Sequence, residues 1–203
     1  RYEAEAEIAV GRLRYLDGWP EAAGLQTQVR FFGPSMELHG RIGDIGGVEA
    51  QTVSAAIPDL KSPILEVDYQ ADTGLPQILG FLEQTPLREL ITADLSVYTF
   101  AGSAQATGKL TAPIRGSGKE IVLDGRIFVP DGYFSDPASN ITLEDISGEL
   151  RYDEKGFTGT ALETRFRGYP ARLDLAAGAG GTEKFRADLV GLFGVRDVIP
   201  SFL

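Results

Sequence analysis

The sequence predicts a mainly β protein, an extended antiparallel sheet with one or two short helices, and three observations carry the expectation. Apolar residues recur at every second position through most of the 203 residues, the pattern of strands with one greasy and one wet face. Short Gly, Pro and Asp clusters such as Asp17-Gly18, Gly33-Pro34 and Gly46-Gly47 punctuate these runs, connections of the length that joins antiparallel neighbours. Only residues 75–90 break clearly from period two.

Along the chain, Tyr2, Ala4, Ala6, Ile8 and Val10 share one strand face and Glu3, Glu5 and Glu7 the other. Three acids in a row suggest a cation, but calcium draws its ligands from a tight loop that includes carbonyls, so this is read as a solvated face. The alternation continues through residues 12–16, and residues 19–24 around Trp19-Pro20 read as a turn or a single helical turn. Leu25, Thr27, Val29 and Phe31 form the next apolar face, followed by Met36, Leu38 and Ile42 and a Gly46-Gly47 hairpin. Between Val48 and Ala50 and the following Val53, Ala55 and Ile57 the apolar phase slips by one residue, which predicts a bulge. Pro58 and Pro63 bracket a loop before Leu65, Val67, Tyr69 and Ala71.

Leu75, Ile78, Leu79 and Leu82 have helical spacing, with Pro76 at the start and Pro86 as the stop. This helix caps an end of the sheet or lies across its apolar face. Leu95, Val97 and Thr99 alternate with Ser96, Tyr98 and Phe100, a strand covered on both faces. Strands over 104–114 and 121–129 follow, joined by Gly116-Ser117-Gly118, and Asp131-Gly132 reads as a turn. Residues 141–176 read as a meander of four strands, 141–143, 146–152, 157–166 and 169–175. Ile146, Leu150 and Tyr152 alternate there with Ser147, Glu149 and Arg151, with Gly148 on the apolar face, and Tyr169, Ala171, Leu173 and Leu175 alternate with Pro170, Arg172 and Asp174. A turn at 178–181, a last strand at Phe185, Ala187 and Leu189 and a helical turn over 192–199 complete the chain.

The net charge of −10 and the lack of a basic stripe argue against nucleic acid and against adsorption to an anionic membrane by charge alone. With no cysteine there are no disulfides and no thiolate chemistry, a composition that suits the periplasm as well as the cytoplasm. Residues 1–203 contain no signal leader and no 18-residue apolar run. The start at Arg1, already strand-like, and the apolar end predict a single β segment cut from a much longer chain, divisible into two β subunits at 1–92 and 93–203. Gly11-Arg12-Leu13-Arg14-Tyr15 recurs as Gly148-Glu149-Leu150-Arg151-Tyr152, which fits an array of similar units.

Catalytic constellations fail on chemistry. The segment ending Gly118-Lys119-Glu120 has Pro113 where a P-loop needs its first glycine and Glu120 where it needs a hydroxyl. There is no Gly-x-Ser-x-Gly elbow, and His39 is the only histidine. Glu144-Asp145 and Asp153-Glu154 have the look of glycosidase acid pairs but sit beside turn residues. The expectation is a protein that is not an enzyme and needs no cofactor or metal.

Leu13-Arg14-Tyr15 with Gly18-Trp19-Pro20, then Ala56-Ile57-Pro58-Asp59-Leu60, Phe81-Leu82-Glu83-Gln84-Thr85-Pro86-Leu87, and Ile146 to Tyr152 through Gly168-Tyr169-Pro170 together resemble the YhdP-type AsmA-like proteins of Gram-negative bacteria. The resemblance covers most of the chain. It implies an elongated, strongly curved, taco-like sheet, one unit of a long periplasmic chain anchored in the inner membrane outside this segment. It also implies a role in carrying phospholipid between inner and outer membranes, with acyl chains and neighbouring β units as partners and no active site. Carrying a diacyl lipid through water exposes roughly 30 methylene groups at about 0.8 kcal/mol each, and an apolar concave face that keeps them dry suffices. By alternation alone, the candidate groove residues are Val29, Phe31, Leu65, Val67, Leu95, Val97, Ile121, Leu123, Leu150, Tyr152, Leu173 and Leu175. The rival reading is a closed β-sandwich, a spacer or interaction module of the cell envelope.

Overall fold

Period-two alternation between tight turns leaves the backbone one economical way to satisfy its hydrogen bonds, which is to pair each strand with the next. The computed structural model, which describes residues 3–14, 18–85, 88, 95–114, 121–178 and 185–194, does this throughout. In order come β1 (Glu3–Leu13), β2 (Ala22–Phe32), β3 (Ser35–Ile45), β4 (Val48–Ile57), β5 (Ile64–Gly74), helix α1 (Leu75–Glu83), β6 (Thr99–Ala101), β7 (Ser103–Pro113), β8 (Val122–Asp136), β9 (Ile141–Asp153), β10 (Gly156–Phe166), β11 (Tyr169–Gly178) and β12 (Phe185–Gly191). All pairings are antiparallel within one 12-stranded sheet, whose order follows the chain except that β6 pairs the far end of β8. Among the described residues β1 and β12 are the two edges, so the described strands form one open, curved sheet. The sheet runs without a break through the β5–β7 ladder from Ile64 opposite Pro113 to Gly74 opposite Ser103.

The β3–β4 hairpin turns on Gly46 and Gly47, both with positive φ (61° and 91°), as a two-residue primed turn requires. Asp44 supports it by accepting the Gly47 N–H at 3.1 Å. The predicted phase slip in β4 appears as register shifts between Gly40 and Ile45 in the β3–β4 ladder.

Five local expectations are corrected. Residues 22–24 belong to β2, which passes through Gly24 at φ 65° with its register to β1 and β3 unchanged, and only 18–21 form the turn. The helix stops at Glu83 because the Gln84 and Thr85 N–H groups turn back onto the Phe81 and Leu82 carbonyls, closing a tighter last turn; Pro86 lies outside the described residues. Leu95 and Val97 lie in a 3₁₀ turn, which the Tyr98 N–H closes onto the Leu95 carbonyl at 3.2 Å. The rings of Tyr98, Phe100 and Phe134 cluster with centroids 5.4–6.3 Å apart, so aromatic packing overrides the aliphatic alternation there. Asp131-Gly132 is a bulge inside β8, because Asp131 folds back to accept both the backbone N–H and the hydroxyl of Ser103. Residues 141–143 and 146–152 form one strand, β9, bent at Asp145 with φ 51°. Gly116-Ser117-Gly118, the turn beyond Gly178 and residues 195–199 lie outside the described residues.

The core is made within the sheet's own apolar face. Leu143, Leu162, Phe166 and Leu173 form one buried cluster on β9–β11, and Leu110, Ala112 and Leu123 form another on β7–β8. Helix α1 packs against β4, β5, β6 and β7, and the burial pattern shows on which side. Val53, Ala71 and Ala104 are buried, whereas Thr52, Gln70, Asp72, Ser103 and Gln105 beside them are exposed. The helix therefore lies on the apolar face, inserting the buried Ile78 over small side chains. Phe81 packs on Trp19 at 6.1 Å between ring centroids, and Gln84 donates to the Gly46 carbonyl at 3.1 Å.

Leu162, 1% exposed, anchors the larger cluster. Leu162→Ala is expected to destabilise the fold by about 3 kcal/mol or more, read as a lower urea midpoint at unchanged slope. Leu60→Ala, at a side chain 42% exposed, should stay within about 0.5 kcal/mol of the parent.

Candidate functional site

In an antiparallel ladder, residues directly opposite one another share a face, so the register can be followed across the sheet. One row reads Ile8, Thr27, Gly40, Val53, Tyr69, Gly108, Gly125, Tyr152, Phe157, Ala177 and Phe185, from edge to edge. A parallel row reads Ala6, Val29, Leu38, Ala55, Val67, Leu110 and Leu123. No member of either row is charged. The opposite face carries the ion pairs Arg30–Glu3 (3.6 Å), Lys109–Asp68 (3.2 Å) and Arg126–Glu149 (3.7 Å). These are exposed and so worth little in stability, but they mark which side is wet.

Ten of the twelve expected groove residues, Val29, Phe31, Leu65, Val67, Ile121, Leu123, Leu150, Tyr152, Leu173 and Leu175, fall on this apolar side or at its margin. Phe31 faces Ala4 and Met36, Leu65 faces Ala112, and Ile121, just ahead of β8, packs on the Leu110–Leu123 cluster. Leu150, Leu173 and Leu175 join the Leu162 cluster. The structure does not bring Leu95 and Val97 to that face; the 3₁₀ turn leaves Val97 56% exposed.

Three features of the long row escaped the sequence reading. Gly108 and Gly125 sit side by side at its middle, and Tyr69 and Tyr152 lean over them from either flank until their hydroxyls hydrogen-bond. The glycines are required. A Cβ on Gly108 would lie 2.5 Å from the Tyr69 hydroxyl, and one on Gly125 would lie 2.3 Å from Tyr152 Cζ. The third is Thr27, only 6% exposed, whose hydroxyl finds no hydrogen-bond partner while its methyl lies over Gly40. The usable signal was a glycine on the apolar parity of two adjacent strands with a tyrosine at matching parity on each flank, legible only once the register is known.

Burial, chiefly, pushes both phenols above the ordinary tyrosine pKa; Asp124 adds to the rise, and for Tyr69 so does the neighbouring Tyr152. Both therefore stay neutral and able to donate. A phenol whose pKa is raised by folding contributes stability that is complete below the unfolded pKa near 10 and is lost as pH climbs above it. The urea midpoint of the parent is thus expected to fall between pH 9 and pH 11.5 by more than that of the Tyr69→Phe/Tyr152→Phe double variant. Elsewhere, Ser103 holds the exposed Asp131 carboxyl below the usual range. His39 is exposed on β3 and meets Ser54 at 3.0 Å. No group of three or more His, Cys, Asp or Glu able to hold a metal occurs among the described residues, and none of their helices is long and apolar enough to cross a membrane.

A family model described as YhdP protein matches residues 2–202. The Intermembrane phospholipid transporter YhdP of Escherichia coli (strain K12) is 19% identical over 180 residues, covering 89% of this chain and 14% of that protein. The chain thus corresponds to a small part of that relative's length. No solved structure matches. Because the family model spans nearly every residue, from the first strand to the end, the chain belongs to the YhdP family.

Proposed function

We propose that this chain is a segment of a phospholipid conduit, and that its apolar sheet face shields acyl chains on their way between membranes. The observation that supports this most is the long row: eleven strands contribute to it and none places a charge there. Ten inter-strand steps of about 4.8 Å give the row a length on the order of 48 Å, more than an extended acyl chain needs. No second sheet packs on this face among the described residues; α1 covers only the end of β4–β7. A closed sandwich would need that second sheet, so the conduit is the reading the architecture favours.

The reading places the segment in the periplasm, within a parent chain held at the inner membrane by other parts. It also gives the edges a purpose. β1 is 11 residues long without a proline, and Val190 on β12 is 66% exposed, so each edge is a template for a further strand. Neighbouring β units of the same long chain would pair there and lengthen the face. Catalysis has no part in it.

Native mass spectrometry of the purified chain tests the proposal directly. Co-purified phospholipid, released on delipidation and regained from vesicles of phosphatidylethanolamine and phosphatidylglycerol, is the expected result. A chain that stays lipid-free under both conditions overturns it.

A further inference from the structure

The tyrosine pair does more than fill a gap between side chains. Tyr69 is on β5 and Tyr152 on β9, with β7 and β8 lying between them. Where those two strands cross the row they carry only Gly108 and Gly125, so nothing on the apolar side resists bending there. Glycine inside a strand commonly marks a bend or a close approach. The rings lie directly over the glycine backbones, Tyr152 within 3.5 Å of the Thr107 carbonyl as well.

Ring filling alone would be satisfied by phenylalanine. What the hydroxyls add is a distance constraint, because a hydrogen bond weakens over a few tenths of an ångström. Separating β5 from β9 on this side would take the desolvated Tyr69 hydroxyl from its partner and leave Tyr152 with only the long 3.5 Å bond to the Thr107 carbonyl, which is costly on an apolar surface. The cost is greatest when the face is covered by hydrocarbon and no water can replace the lost bond.

We propose that Tyr69 and Tyr152 are positioning residues: their hydroxyl bridge over Gly108 and Gly125 holds the sheet at the curvature that wraps an acyl chain. The consequence for lipid rests on the acyl-shielding reading above; the geometric part does not. Loss of the bridge lets the sheet flatten about β7 and β8, so the outer-face residues of β5 and β9 approach one another. It leaves the ladder pairings and the two buried clusters intact.

The chain has no native cysteine, which makes the measurement clean. Gln70 and Arg151 occupy one outer-face row, joined through Thr107 and Arg126, and Gln70→Cys with Arg151→Cys gives a spin-label pair across the bend. Pulsed dipolar spectroscopy is expected to show a narrow distance distribution in the parent. Tyr69→Phe and Tyr152→Phe, each checked by circular dichroism for a retained β spectrum, should shift it to shorter distance and broaden it. Gly125→Ala, which displaces the Tyr152 ring, should do the same. Phospholipid retained per chain should fall about fivefold in the Phe variants, the size set by one net hydrogen bond. Distributions unchanged by both Phe substitutions overturn the proposal, whatever the lipid content. A parent that binds no phospholipid overturns the acyl-shielding reading instead, and the distance shift still decides the bridge.

Discussion

Val67→Glu is expected to abolish phospholipid retention while leaving a folded chain. Val67 sits at the middle of β5, faces Ala55 and Leu110 on either side and packs against the Leu110–Ala112–Leu123 cluster, yet is only half-buried. A carboxylate placed there can swing toward solvent when the face is empty, so the cost to folding is modest. With an acyl chain against β5 the same carboxylate is stranded in hydrocarbon. A charge at the centre of an apolar slab costs about 2.5–3.5 kcal/mol on insertion scales, which corresponds to a loss on the order of 100-fold in retained lipid. The paired control is Asp68→Val, one residue along and on the wet face, where it meets Lys109 at 3.2 Å. That change removes an exposed ion pair of little value and should leave lipid retention within about twofold. Native mass spectrometry reads the lipid and a thermal melt reads the fold. Equal loss in both variants, or none in either, would show that the apolar side is not the lipid-facing one.

The sheet itself was legible because alternation is a local signal: each strand announces its two faces without knowledge of its neighbours. Val29, Val67, Leu123 and Leu173 were placed by that signal alone. It failed at Leu95 and Val97, where three alternating residues are too few to separate a strand from a turn, and where the rings of Tyr98, Phe100 and Phe134 decided the conformation from outside the window. Asp131-Gly132 misled for the opposite reason. Its composition is that of a turn, but Ser103, 28 positions away, supplies the two donors that make it a bulge. The Tyr69–Tyr152 bridge was out of reach altogether. Tyr69 and Tyr152 were each read correctly as apolar-side residues, but their meeting depends on three ladders being in register at once. Sequence reasoning thus recovers a surface that is spread over many residues better than a contact made between two.

Gly178→Ala is expected to be strongly destabilising, and comparison with Gly168 shows why. Gly168 immediately precedes β11 and Gly178 ends it, and both have positive φ, 111° at Gly178 and 81° at Gly168. At Gly168 a methyl group would meet nothing within 4 Å, so Gly168→Ala carries only the conformational cost of a left-handed residue, about 1 kcal/mol. At Gly178 the new Cβ would lie 1.9 Å from the Lys155 carbonyl oxygen and 2.5 Å from Gly156 Cα. Those are backbone atoms, and they cannot rotate away. Gly156, opposite in the ladder, is equally intolerant, since its own Cβ would lie 1.9 Å from the Ala177 carbonyl. The only relief is to part β10 from β11 at that end, giving up the Gly156–Gly178 pairing and disturbing the Asp153 turn that caps the Lys155 and Gly156 N–H groups. Strain and lost pairing together come to about 3–5 kcal/mol, or a fall in Tm on the order of 10 °C for a chain of this length. Gly168→Ala should lower it by about 2–4 °C. If the two variants melt together, the close approach of β10 and β11 does not hold in solution. If Gly178→Ala falls by the larger amount, the same contact explains why this position admits no side chain, independently of any role in carrying lipid.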